Sequence, residues 1–215
     1  MHRLEHERFT TGRGRYVDDV ALPGQCHLRP VRSPYAHARI RSIDARAALA
    51  VPGVLIVLTA EHMLADNIGD IACHFYPEDI YPAPPSRRIK RSVLARDVVR
   101  HIGDRVAIVV ADTAHGARDA AELVEVDYDP MPSVATVDAA LELDAPQLWP
   151  EAPGNVLFRY SLGDKRATDE VLRKAQQIVS LDVSNQRIMA FPLEQSGAIG
   201  EYDPQGGYIL HTSAS

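Results

Sequence analysis

Residues 106–111, VAIVVA, are six apolar positions in a row. A strand wetted on one face alternates apolar and polar side chains, so an unbroken run of this length asks for cover on both faces and dictates a layered fold. The next residues restrict the layers further. Asp112 or Thr113 can accept the free N–H groups that open a helix, and Ala114, Ala117, Ala121 and Val124 then recur at helical spacing on one face of small side chains. After Leu123 the period changes to two. Val124, Val126 and Tyr128 alternate with Glu125, Asp127 and Asp129 until Pro130 and Pro132 stop the ladder. The stretch predicts strand, short helix, strand.

The same order occurs earlier. Residues 39–43 are β-compatible, 45–51 favour a helix stopped by Pro52-Gly53, and 54–58 form a second uninterrupted apolar strand. Two such units predict a compact α/β (α+β) domain with mixed strand directions, ending near Pro132. Residues 25–32 read as a strand that Pro30 confines to a sheet edge, and 16–20 as a short strand inside a turn-rich entry. Residues 67–90 read as a long proline-rich loop, and 131–163 as an extended connector that Trp149 anchors on a surface. Beyond it, Thr168 opens a helix to about Gln176, 178–183 reads as a strand, and 197–203 with 208–213 as a hairpin around Pro204-Gln205-Gly206-Gly207. This last region looks incomplete as a folding unit.

Composition narrows the function classes. The chain is 46% apolar with a net charge of −6, enough for a sizeable core and the wrong sign for a default nucleic-acid or anionic-membrane partner. Two cysteines, Cys26 and Cys73, make neither a disulfide framework nor the four thiolates of an iron–sulfur cluster. The first residues lack the apolar core of a secretory signal, and no run approaches the roughly 20 apolar residues of a membrane span. The expected setting is soluble and cytoplasmic.

Residue pairs with chemical potential each have a plain reading. Gly12-Arg13-Gly14 lacks the preceding strand and following helix of a nucleotide loop. Asp18-Asp19 would point to opposite faces of a strand, and serves better as caps or solvated groups than as cation ligands. His2 and His6 share the spacing of one helix face but read as a solvated pair at a terminus, Cys73-His74 is half of a nucleophile or metal site but reads as chance adjacency because no second Cys or His lies at ligand spacing, and nothing in the sequence brings Glu194 and Glu201 together. Arg87, Arg88, Lys90 and Arg91 form a basic cluster that would grip an acidic partner or a phosphate, or else rim a solvated loop. No nucleophile elbow, zinc-helix motif or phosphate loop occurs.

Taken together, GRGRYVDDV, RSPYAHARIRSID and HIGDRVAIVVADTAHGARDAAELVEVDYDPMP resemble the large subunit of the molybdenum hydroxylases, the family of xanthine dehydrogenase, aldehyde oxidase and aerobic carbon monoxide dehydrogenase. The likeness continues in family order through APGN (152–155), Gly163-Asp164, NQRIMAFPLE (185–194) and GAIGEYDPQGG before YILHTS. It implies an α/β-hammerhead domain over residues 1–132, a connector over 133–163 and an incomplete start of the molybdopterin-binding domain over 164–215. It also implies oxidoreductase chemistry, the hydroxylation of an aldehyde, a heterocycle or carbon monoxide with oxygen from water. Electrons then pass from molybdenum through 2Fe-2S clusters to FAD, carried on partner subunits or domains.

The departures are as informative. Arg29-Pro30 replaces a pair that is usually small or apolar, and Arg105 replaces a usual proline. Ser215 stands where the family has a glutamine beside the molybdenum, and its hydroxyl offers neither that amide's reach nor its paired donor and acceptor. The pterin loop and catalytic glutamate come later in the family. No residue of this chain is therefore assigned to catalysis, cofactor binding or a metal. Two readings remain open: a segment inactive alone that assembles with a molybdopterin-binding chain and with FAD and iron–sulfur subunits, or a stand-alone binding or structural module. An independent hydrolase using Cys73-His74 ranks behind both.

Overall fold

The computed structural model describes residues 6–73, 75–185, 188 and 196–213. Two compact units form, one from Cys26–Asp169 and one from Met1–Gln25 with Glu170–Ser215. In chain order the elements are α1 (His6–Thr10), β1 (His27–Arg32), β2 (Ala38–Asp44), α2 (Arg46–Leu49), β3 (Val54–Thr59), α3 (Ala60–Ala65), β4 (Val98–Val99), β5 (Arg105–Ala111), α4 (Ala114–Glu122), β6 (Glu125–Pro130), α5 (Val137–Leu141), α6 (Lys165–Lys174), β7 (Ala198–Asp203) and β8 (Gly207–Thr212).

The larger unit holds two three-stranded sheets, ordered β1-β5-β3 and β4-β2-β6. Both strand-helix-strand units are present, but each sends its two strands to different sheets: β2-α2-β3 crosses from the second sheet to the first, and β5-α4-β6 crosses back. With no unit returning to its own sheet there is no parallel crossover, and every paired neighbour in these sheets is antiparallel rather than mixed. Pro30 sits on β1, an edge strand, where its missing N–H costs the ladder nothing on the open side.

Helix α4 begins as the sequence requires: the Thr113 hydroxyl accepts the Gly116 N–H at 3.1 Å. Its buried stripe is Ala117, Ala120 and the following Val124, while Ala114 is exposed. Small residues let the helix lie close to the sheet. Ala48, Val57, Ala107, Val109, Ala120 and Val124 form one core between helices and first sheet, and Ala38, Ala95, Val99 and Val106 form a second. Each valine fully buried there contributes about 1.5–3 kcal/mol. Strand β5 is covered on both faces only at its start. Val106 is sealed in the second core, whereas Ile108 and Val110 are half-buried and continue, through register, to the exposed Leu28 and Ile56. One sheet face thus stays apolar and partly open.

The motif residues of 32–44 and 101–132 meet here. Ser33 donates its N–H to Asp104 O and accepts the Gly103 N–H, both at 2.8 Å, and its hydroxyl folds back on Tyr35. The Tyr35 ring lies 5.2 Å from Tyr128, whose phenol burial pushes up. His37 is buried and donates Nδ1–H to the Pro132 carbonyl at 2.7 Å, which fixes its tautomer and ties the end of the domain to β2.

Other local expectations change. Residues 17–19 form a 3-10 turn capped by the Asp19 carboxylate rather than a strand. Helix α3 breaks the chain before the loop, and the connector carries α5. There Asn155, at φ 57, donates to Ala140 O and Pro146 O and accepts the Leu148 N–H. Helix α6 starts at Lys165 because Asp164 accepts the Ala167 N–H, three residues ahead of the expected Thr168. Residues 178–183 are not a strand, but the hairpin β7-β8 forms with the expected turn.

Candidate functional site

The larger unit contains a cleft of about 730 Å³ where β1 ends, the 101–104 turn enters β5, and the 70–97 and 149–157 segments close around them. The loop over residues 67–90 is not featureless. Glu78 organises it, accepting the Ser86 N–H and hydroxyl and the Arg88 guanidinium at 3.0 Å. Burial pushes the Glu78 carboxyl up, and the Ser86 bonds with the Arg88 charge outweigh that and hold it below the usual range. Arg88 also covers the Tyr76 ring at 3.4 Å. A short bridge between Ile71 and Arg91, 2.6 Å from N to O, pins the two ends of the loop.

The opposite wall is built around Arg100. Its Nε donates to Leu148 O at 2.7 Å and its guanidinium lies 4.0 Å over Trp149, so Trp149 anchors the connector as the sequence implied. Burial lowers the Arg100 pKa, against the pull of Glu151, Asp104 and Asp97. Asp104 spends its carboxylate on backbone, accepting the N–H of Arg100 and of Arg105. The second of these bonds uses a backbone N–H that a proline at position 105 would lack.

The basic cluster seen in the sequence is sorted by the fold. Arg88 turns to Glu78, while Arg87, Lys90 and Arg91 line the cleft. Arg32, Arg96, Arg100 and Arg105 join them there, which sequence reasoning missed: they lie on four segments with no shared period.

The remaining candidates do not converge. Gly12 turns the chain after α1, with Arg13 paired to Glu7 at 3.2 Å. The exposed Cys73 thiol points to Phe75 O at 3.1 Å. Glu201 lies 3.5 Å from His211 across the hairpin, an ion pair whenever the imidazole is protonated. His2, the His6 side chain, His74, Glu194 and Ser215 lie outside the described residues. Among the described residues, no group of three or more His, Cys, Asp or Glu side chains is placed to hold a metal.

Residues 11–132 match the family described as aldehyde oxidase and xanthine dehydrogenase, a/b hammerhead domain. This chain belongs to that family. It corresponds to the N-terminal part of the large subunit. It is 37% identical to the carbon monoxide dehydrogenase large chain of Hydrogenophaga pseudoflava over 94% of its length and 25% of that chain. It is 40% identical to the xanthine dehydrogenase molybdenum-binding subunit of Escherichia coli O157:H7 over 66% of its length and 18% of the other. Quinoline 2-oxidoreductase from Pseudomonas putida 86 superposes with a TM-score of 0.86 at 34% identity, over 99% of this chain and 26% of that one. The hammerhead chain thus spans about a quarter of the length of the relatives it matches. No helix among the described residues is long and apolar enough to cross a membrane.

The family implies a molybdopterin, and the described residues do not fit one. Gly12, Gly24, Gly53 and Gly103 each sit in a single turn, and α4 closes its own N-terminus with Thr113 instead of leaving N–H groups for a phosphate. No step of a hydroxylation is assigned to these residues.

Proposed function

We propose that the chain is the hammerhead portion of a molybdenum hydroxylase, an oxidoreductase acting on an aldehyde, a heterocycle or carbon monoxide, and that it shapes the enzyme without taking a chemical step. The hammerhead runs to about residue 132, 133–163 is the connector, and 164–215 opens the molybdopterin-binding region. Molybdopterin is held by the remainder of a large subunit, with FAD and 2Fe-2S clusters on partner subunits. The observation that carries this reading is the apolar surface left open in the smaller unit, where Val179, Leu181 and Val183 are each more than 70% exposed. A surface of that kind needs a covering neighbour. The match to about a quarter of each relative supports the same reading.

The test is to purify the tagged chain from its own cell and measure its molybdenum and iron together with the identity of what accompanies it. Both metals arriving with the remainder of a large subunit are the expected result. A metal-free, strictly monomeric preparation would favour a stand-alone binding module.

A further inference from the structure

The cleft reverses the charge of the chain that contains it. Overall the protein carries −6, yet seven arginine and lysine side chains line this one concavity against four carboxylates. The fold has also divided those charges into committed and uncommitted groups. Arg96 is spent on Asp70 at 3.4 Å, Arg32 on Gly103 O at 2.9 Å, and Arg100 on Leu148 O and the Trp149 ring. Arg87, Lys90, Arg91 and Arg105 make no side-chain hydrogen bond or ion pair among the described residues.

On the acidic side, Asp104 is occupied by backbone N–H groups and lies 3.6 Å from His101, and Asp70 is held by Arg96. Asp97 and Glu151 are the carboxylates that remain uncommitted. Four free cations therefore face two free anions inside one concave space. Like charges gathered along one cleft repel one another even where solvent reaches them, and a bound anion that accepts several of their hydrogen bonds relieves that repulsion while gaining charge-assisted bonds.

We propose that this cleft binds a small phosphate-bearing anion, with Arg87, Lys90, Arg91 and Arg105 as its donors. The size and shape select a small ligand over an acidic protein surface: about 730 Å³ falls within the range of small-molecule pockets. The donors line a hollow instead of spreading over a convex face, three of them from residues 87–91 and the fourth, Arg105, from the start of β5. Asp97 and Glu151 would repel a continuous acidic surface, but leave room for a discrete phosphate beside the arginines. This site does not depend on the molybdenum-hydroxylase reading, since it stands on the geometry of the larger unit alone.

The experiment is calorimetric titration of the full chain with inorganic pyrophosphate at low ionic strength. Saturable binding at one site is expected, weakened about tenfold or more by K90E/R91E, since two charge-assisted donors are lost. Arg118→Glu changes an exposed cation on α4 outside the cleft and should leave the affinity unchanged. K90Q/R91Q serves in place of the reversal if circular dichroism shows that the latter fails to fold. Absence of saturable binding overturns the proposal, as does an equal loss from Arg118→Glu and the cleft variants. Binding of a polyglutamate peptide with no response to pyrophosphate overturns it in favour of an acidic protein partner.

Discussion

The two units handle their apolar residues in opposite ways. In Cys26–Asp169, Leu94, Val99, Val106 and Val109 are removed from solvent completely, Val109 by helices packed on the first sheet and Val99 and Val106 by the second sheet against the start of β5. In the other unit no described residue is buried, and Val179, Leu181, Leu210 and Tyr208 lie open. The difference is not one of composition, since both units carry valine, leucine and isoleucine at strand-like spacing. It lies in whether the fold supplies a second layer. The larger unit brings its own, and the smaller supplies a two-stranded hairpin none of whose described residues is buried.

Deleting equal side chains from the two units breaks or sustains that contrast most directly. Leu94→Ala should cost roughly 2–5 kcal/mol in chemical denaturation, as for other buried leucines, while Leu181→Ala should stay within about 0.5 kcal/mol. Comparable losses at the two positions would mean that the smaller unit has a core of its own. Next in size is Gly53→Ala. Gly53 turns the chain into β3 at φ +84, and an added Cβ would fall against the Asp112 carboxylate, so a loss of about 1–3 kcal/mol is expected in the same assay. A neutral result would show that the edge of the first sheet yields more readily than its packing implies.

The smallest effect is electrostatic and sharpens the comparison at its rim. Hydrogen bonds from the Arg46 side chain, then its backbone, hold the Asp44 carboxyl down at about 2 from an ordinary 3.8. A carboxyl whose pKa is lower in the folded state contributes stability above its unfolded pKa, and that contribution fades as pH falls from about 4 towards 2. Asp44→Asn should flatten the acid limb of the stability profile in this window. Because the pair is exposed, the change is small, and an unaltered limb would show that the bonds persist only part of the time.

Much of the larger unit is legible in sequence because its signals are local. VAIVVA, the Thr113 cap, the alternation through Tyr128, and Pro30 at an edge each follow from a few neighbouring residues. Sheet membership was not legible. Nothing in residues 39–58 tells that β2 and β3 part company, because that choice is made by β5 and β6 some fifty residues later. The apolar run at 178–183 has the period of a strand, but a strand also needs a partner, which the described residues do not offer it. The cleft fails for the same reason in another form. Arg87, Lys90 and Arg91 announce themselves as a cluster, yet Arg32, Arg96 and Arg105 become their neighbours only after the turn at 101–104 is built. Arg88, alike in sequence, is withdrawn by a glutamate ten residues away.

The exchange of strands between sheets also governs the order in which the chain can become structured as it leaves the ribosome. Strands β1, β2 and β3 emerge first, and no two of them pair with each other. Each waits for a partner made later: Val98 begins the short β4, β5 closes the first sheet, and β2 gains its long partner only when residues 125–130 arrive. Residues 27–97 therefore carry three strands without a partner until β4 and β5 follow, a stage at which a nascent chain depends on chaperone cover or on rapid completion of residues 98–130.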